Sequence, residues 1–176
     1  SYSDRISVVY SKEEIDDLPE DLGQTVAICQ TTITSEKFQN LVGYIRQTKY
    51  PDLKAVDTRC KPVKNQQEAV EELAQWVDAM LVIGGLNSSN TTNLARISAK
   101  YLPNTTHHID SPDLIQPEWL KEISHLGLAA GTSTPKSQIE DVKRRVAEIF
   151  EGEVYFRREK DDDDPLDFDD DEKIEI

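Results

Sequence analysis

The sequence predicts an α/β protein in which parallel sheets are covered by helices on both faces. Three observations lead there. Short apolar runs alternate with stretches whose apolar residues recur at helical spacing along most of the chain. The run "AMLVIGG" at 79–85 reads as a buried strand. Several apolar runs end in clusters of small polar residues directly before a helical pattern, as strand-to-helix junctions do.

The elements follow in order. "RISVV" (5–9) reads as a strand. "SKEEIDDL" reads as a helix with Ser11 as N-cap and Glu14 three residues on, a capping-box signature. "TVAIC" (25–29) is a second strand. "TSEKFQNLVGYIRQT" (34–48) is a helix with Phe38, Leu41, Val42 and Ile45 on one face. "LKAVD" is a short strand. "NQQEAVEELAQWVD" (65–78) is a helix with Ala69, Val70, Leu73 and Trp76 inward. After "AMLVIGG" comes a helix from about Ser89 to Tyr101, then the strand "THHID" (106–110). "SPDLI" and "QPEWLKEI" are short helices with proline near each start. "HLGLAAG" (125–131) is a strand. "TPKSQIEDVKRRVAEIF" is the longest helix, with Ile139, Val142, Val146 and Ile149 on one side. "EVYFR" is a last edge strand.

These elements group into two units, one reaching about Val56 and one running from Asp57 to about Phe156. No internal repeat is visible. The first unit offers only two or three strands, so it reads as incomplete, and further chain N-terminal to it is expected.

Charge sets the tail apart. The net formal charge is −14, and residues 159–176 hold eleven acids against two bases, leaving 23 acids and 18 bases for the other 158 residues. The tail "EKDDDDPLDFDDDEKIEI" has the composition of a solvated, disordered segment. The body lacks the basic stripe that a phosphate backbone demands, so no nucleic-acid partner is expected. No apolar run is long enough to span a bilayer, and no signal peptide is visible, so no membrane partner is expected and the chain reads as a cytoplasmic protein. Cys29 and Cys60 make no disulfide framework.

In open parallel sheets, ligands bind beyond the carboxyl ends of the strands. Three such ends carry small hydrogen-bonding residues: Gln30, Thr31 and Thr32; Asn87, Ser88, Ser89 and Asn90; and Gly131, Thr132, Ser133 and Thr134. Hydroxyls, amides and helix N-terminal N–H groups can hold a phosphate or diphosphate without any lysine or arginine. Ser, Thr and Asn are also the preferred helix caps, which accounts for any one loop by itself. Three loops at corresponding strand ends favour an anion site. Cys29 ends an apolar strand and reads as a buried small hydrophobe. Cys60 lies level with the polar loops, where a thiolate can be a metal ligand, a nucleophile or a plain loop thiol. His107, His108 and His125 read as structural, and Trp76 and Trp119 as core anchors on helices.

Taken in order, "QTT" at 30–32, "DT-x-C" at 57–60, "Q-E-A-V" at 67–70, "D-x-MLV-x-GG-x-NSSNTT-x-L" at 78–94, "HID", "WL" and "AAGTSTP" form a specific set. The chain resembles the 4-hydroxy-3-methylbut-2-enyl diphosphate reductase family over about residues 5–150. The resemblance implies an iron–sulfur oxidoreductase that ends the methylerythritol phosphate route to isoprenoids. It implies a three-lobed α/β fold in which each lobe gives one cysteine to a central [4Fe–4S] cluster. Residues 1–56 would be part of the second lobe and residues 57–158 the third, followed by the acidic tail at 159–176. Cys60 would be the third lobe's cluster ligand. Ser88, Ser89, Asn90 and Ser133 would grip the substrate's diphosphate. Thr31 and Thr32 would line the cavity near its hydroxyl, with Thr31 in the catalytic role.

The implied partners are an allylic diphosphate, an electron donor such as ferredoxin or flavodoxin, and an N-terminal polypeptide. The implied compartment is the cytoplasm, or the plastid stroma in a eukaryote. The family's other cysteines and its proton-delivering His and Glu belong upstream of this sequence. Lys61, Pro62 and Val63 stand where the family usually has "x-A-T" after its cysteine, and Gln66 where it has arginine. The isolated chain is therefore expected to be inactive as a reductase. The alternative is an α/β module that binds phosphate esters without redox chemistry.

Overall fold

The computed structural model describes residues 6–20 and 23–150, together with 155–156 and 172–173. They divide into two compact units, Ser1–Glu68 and Ala69–Ile176.

In the first unit, Ser11 caps helix α1 (Lys12–Asp16) by accepting the Glu14 N–H at 3.4 Å. The Glu14 carboxylate reaches back past the cap to accept the Tyr10 N–H, one residue before the N–H that a full capping box would use. Strand β1 (Val26–Ile28), helix α2 (Ser35–Thr48) and strand β2 (Lys54–Val56) form a β-α-β unit. The strands pair in parallel, with Val26 beside Lys54, Ala27 beside Ala55 and Ile28 beside Val56. Thr34 caps α2, whose Val42 and Ile45 pack with Ile15, Tyr50 and Leu53, and with Phe38, Leu41, Ala27 and Ala55 at the margin. Arg46 clamps the loop before β2 by donating twice to the Leu53 C=O, at 3.1 and 3.0 Å. Residues 6–9 form no strand, contrary to the reading of "RISVV". Val9 packs inward and Ile6 and Val8 face outward, but no neighbouring strand among the described residues supplies the ladder that strand structure requires.

Helix α3 (Lys61–Leu73) crosses the division between the units. In the second unit, strand β3 (Ala79–Ile83) is central, flanked by β4 (Thr106–Ile109) and β5 (Leu126–Ala130), all parallel. Every β3 side chain is buried to 1% exposure or less. Alternate residues serve opposite faces. Met80 and Val82 pack with Val70 and Ala74 at and just beyond the end of α3, and with Leu94 and Ile97 of α4 (Ser89–Tyr101). Leu81 and Ile83 pack with Val142 and Val146 of α5 (Lys136–Ile149), and with Ile115 and Leu120 from two 3-10 turns at Pro112–Leu114 and Pro117–Leu120. Both faces of this sheet are therefore covered, as parallel sheets require. The Asp78 carboxylate accepts the N–H groups of Ser124 and His125, each at 2.8 Å, and so sets β5 against β3.

Trp119 packs against the second cluster and stacks on His107, ring centroids 3.7 Å apart. Trp76 is a correction: it is 82% exposed, because α3 ends at Leu73 and position 76 falls in the turn beyond it. Tyr155–Phe156 (β6) pairs antiparallel with Glu172–Lys173 (β7). The remainder of the acidic tail, expected to be solvated, lies outside the described residues. Among the described residues, no helix is long and apolar enough to cross a membrane.

Leu81→Ala should lower the unfolding free energy by about 2–5 kcal/mol, whereas Trp76→Ala should change it by less than about 0.5 kcal/mol. Urea unfolding of the two variants checks this. Equal losses would mean that the indole is a core side chain after all.

Candidate functional site

The second unit concentrates small polar residues where β3 and β5 end. The Ile83 C=O accepts two donors, the Gly131 N–H and the Thr134 hydroxyl, both at 3.0 Å. The Thr134 N–H turns back to the Gly131 C=O at 2.8 Å, closing the loop after β5. On the other side of β3, the Gly84 N–H donates to the Ile109 C=O at 2.9 Å, and His108 Nε2 lies 3.1 Å from the Gly84 C=O.

Both glycines are steric necessities. Gly84 has φ +143°, and a Cβ there would stand 2.7 Å from Thr134 Oγ1 and 2.9 Å from Thr91 Oγ1. A Cβ on Gly131 would collide with Thr91 Oγ1. Thr91 thus fills the space between the two strand ends. It is 1% exposed, and its Oγ1 has no hydrogen-bond partner among the described residues.

The predicted diphosphate residues are arranged around this knot. Ser88 caps α4 by accepting the Thr91 N–H at 3.3 Å, and its own N–H donates to the Gly85 C=O at 2.9 Å. Ser89 and Asn90 open the helix, Ser89 exposed and Asn90 buried. Ser133 lies exposed in the loop after β5, two residues before Pro135, the N-cap of α5. The loops carrying these four residues leave adjacent parallel strands at the same edge, joined through Thr91, Gly131 and Thr134. Thr91 lies inside "NSSNTT", where sequence reading gives it no part of its own. Its packing against two glycines distant in sequence leaves no local signal.

The first unit repeats the plan at the ends of β1 and β2. The Thr58 hydroxyl donates to the Cys29 C=O at 2.6 Å and accepts the Cys29 N–H at 3.0 Å. The Cys60 N–H donates to the Thr31 C=O at 3.2 Å. Gln67, buried in α3, donates to the Thr32 C=O at 3.1 Å. Predicted residues Thr31, Thr32 and Cys60 therefore lie in two loops stitched together by backbone contacts. Thr31 and Cys60 are exposed, and Thr32 is half-buried. The Cys60 C=O accepts the Lys64 N–H at 3.0 Å, which puts Cys60 at the start of α3.

Cys29 and Cys60 are free thiols. Cys29 is half-buried, with Sγ 3.9 Å from Asp57 Oδ1. Asp57 accepts from Arg59 Nε at 2.9 Å, Arg59 Nη2 at 2.8 Å, the Arg59 N–H at 3.0 Å and Lys64 Nζ at 3.2 Å. These hydrogen bonds, those from Arg59 foremost, hold its carboxyl well below the usual carboxylate range. Sequence reading assigns nothing to Asp57, Thr58, Arg59 or Gln67, although "DT-x-C" and "Q-E-A-V" contain three of them as fixed letters. Among the described residues, no group of three His, Cys, Asp or Glu side chains could hold a metal ion.

Comparison with known proteins bears on this arrangement. The family model described as LytB protein matches residues 1–147. The 4-hydroxy-3-methylbut-2-enyl diphosphate reductase of Aquifex aeolicus is 40% identical over 141 residues, which are 77% of this chain and 48% of that protein. The enzyme of the same name from Pelobacter propionicus is 38% identical over 146 residues, 83% of this chain and 51% of its own. The chain spans about half the length of the curated relatives it matches. A solved (E)-4-hydroxy-3-methyl-but-2-enyl diphosphate reductase, described as the terminal enzyme of the non-mevalonate pathway, superposes with TM-score 0.50 at 38% identity, over 77% of this chain and 46% of its own. The Plasmodium falciparum reductase superposes with TM-score 0.71 at 20% identity, over 78% of this chain and 44% of its own, and attests the α/β fold.

Two outcomes follow from this geometry. Gly84→Ala should destabilise the chain by about 1–3 kcal/mol through its backbone angle alone. A thermal melt at the wild-type temperature would contradict the packing of Thr91 and Thr134. Asp57 should titrate far below its ordinary value of 3.8. Its stabilising contribution is present above that pH and is lost only as the pH falls through the lower folded-state value. A carboxyl-carbon NMR titration reads the midpoint, and an ordinary value would dissolve the Asp57–Arg59 contact.

Proposed function

The chain belongs to the LytB family, and from that premise we propose that it is the diphosphate-gripping half of a 4-hydroxy-3-methylbut-2-enyl diphosphate reductase. The overall reaction removes the substrate's hydroxyl group as water, consuming two electrons and two protons, and gives isopentenyl and dimethylallyl diphosphate. The observation that supports this reading best is the sharing of the Ile83 carbonyl by Gly131 and Thr134, which ties the Ser133 loop to the strand that leads into the Ser88–Asn90 loop.

In this proposal Ser88, Ser89 and Ser133 offer hydroxyl donors and Asn90 an amide donor to the diphosphate. The N-termini of α4 and α5 add partial positive charge. Neutral donors suffice because the helix ends already carry the complementary field. Thr31 acts at the substrate's hydroxyl, with Thr32 beside it in the cavity lining. Gln67, through the Thr32 carbonyl, and Thr58, through both backbone groups of Cys29, hold that loop in place.

The family's [4Fe–4S] cluster is held mainly by cysteine thiolates and supplies electron transfer when bound. Cys60, exposed at the start of α3, suits one corner of such a cluster. The described residues do not fit the whole group, since no three ligands lie together. In this proposal the remaining ligands and the proton donors lie in the part of the relatives' length that this chain does not match, and the electron donor is a ferredoxin or flavodoxin. The cytoplasm, or a plastid stroma, is the proposed compartment. The same shortage of ligands favours a second reading for the chain by itself, a phosphate-ester-binding module without redox activity.

Calorimetric titration with inorganic pyrophosphate tests the grip. Asn90→Ala should lose about 1.5–3 kcal/mol, roughly ten- to a hundredfold in Kd. The exposed Ser89→Ala keeps the test open if the Asn90 variant unfolds. Unchanged affinity in both removes the role. Anaerobic reconstitution of the chain with iron and sulfide should give no broad absorption near about 400 nm. Such a band, stoichiometric with single chains, would show that one polypeptide suffices.

A further inference from the structure

The two histidines of β4 face opposite ways, as neighbours on a strand do. His107 stacks on Trp119, on the face of the sheet that α5 covers. His108 stands beside Val82 in register, and Val82 packs with Leu94 and Ile97 of α4. His108 is therefore on the α4 face, where residues 88–90 open that helix. Its half-buried ring brings Nε2 to 3.1 Å from the Gly84 C=O. A carbonyl oxygen only accepts, so Nε2 carries the hydrogen and donates it. Gly84 is the residue at which the chain leaves β3. It has no Cβ to restrict its backbone, so its contacts must hold the peptide at φ +143°. The Ile109 C=O takes its N–H, Thr91 and Thr134 wall its α-carbon, and His108 grips its carbonyl. Beyond it, residues 85–87 are exposed, and the Gly85 C=O accepts the N–H of Ser88.

We propose that His108 is a positioning residue for the diphosphate site. Its Nε2–H fixes the Gly84 peptide, and with it the direction in which residues 85–87 carry Ser88, Ser89 and Asn90 toward the anion. The relay is short. Turning the Gly84 peptide would swing the Gly85 carbonyl, which holds the Ser88 N–H, and Ser88 is the cap on which α4 starts. Hydrogen-bond donors lose strength steeply when distance or angle drifts, so a small displacement of this loop weakens every donor that it carries. The role asks for an N–H of the right reach and not for a charge, which is why an imidazole fits beside a neutral cradle. His108 acts through Gly84 and is placed in no contact with the anion itself. The consequence for binding rests on the diphosphate reading, whereas the hydrogen bond and the tautomer it demands do not.

Two measurements on the full chain test this. Nitrogen-15 NMR of the imidazoles should show Nε2 as the protonated nitrogen of the neutral His108 ring, and a ring protonated at Nδ1 would overturn the contact without touching the diphosphate reading. Calorimetric titration with inorganic pyrophosphate then compares three variants. His108→Leu keeps the bulk and loses the donor, and should weaken binding roughly tenfold. His108→Gln places an amide N–H at similar reach and should restore affinity to within about threefold of wild type. His108→Asn has its amide one carbon too short and should behave like the leucine variant, which keeps the test open if His108→Leu fails to fold. Thermal melts establish that the variants compared are folded at the titration temperature. Wild-type affinity in His108→Leu or in His108→Asn overturns the positioning role alone. So does a loss in His108→Gln as large as in His108→Leu, since the ring and not the donor would then matter. A wild-type chain that does not bind pyrophosphate overturns the diphosphate reading, and the positioning role with it.

Discussion

The carbonyl of Ile83 is the pivot of the second unit. A strand-end carbonyl can accept two donors, and this one takes the Gly131 N–H and the Thr134 hydroxyl. That pairing draws the loop after β5 against β3 and leaves no room for a side chain at Gly84 or Gly131. Thr91 can then pack between the two glycines, and its N–H is taken by the Ser88 hydroxyl that starts α4. The start of α4, the course of the Ser133 loop and the placement of both polar clusters all depend on this close approach of two strand ends. Bulk at either glycine would meet the Thr91 and Thr134 side chains first and so push the clusters apart.

The first unit solves the same problem with different atoms. Thr58 satisfies both backbone groups of Cys29, Cys60 donates to Thr31, and Gln67 reaches across from α3 to Thr32. In each unit, small polar groups direct their hydrogen bonds to the backbone of a neighbouring loop. This fixes the loops without bulky packing and keeps the exposed members, Thr31 and Cys60 in one unit and Ser89 and Ser133 in the other, available to solvent. Asp57 belongs to this scaffold. Its carboxylate gathers Arg59 and Lys64 and so stiffens the four residues that end in Cys60.

The two units differ in how complete they are. The second has helices on both faces of a three-stranded sheet and a central strand shut off from water. The first has one covered face and a row of aliphatic side chains on the other.

Much of this was legible in the sequence because it is local. Periodicity placed α2 and α5, the apolar run at 79–83 marked the central strand, and Ser11 announced a helix start by its side-chain chemistry. The motif order announced the family, and the loops that carry the candidate site were visible as polar clusters at strand ends. What the sequence could not decide depends on partners distant in the chain. "RISVV" has strand composition and no strand among the described residues to pair with. Trp76 has a core residue's chemistry, but its helix stops three residues earlier. Thr91 has its place only through Gly131, forty residues away, and Thr58 through Cys29, twenty-nine away. Local propensity and spacing fix which elements form. Only the folded chain fixes which strand ends meet, because that is settled by contacts between residues that the sequence keeps far apart.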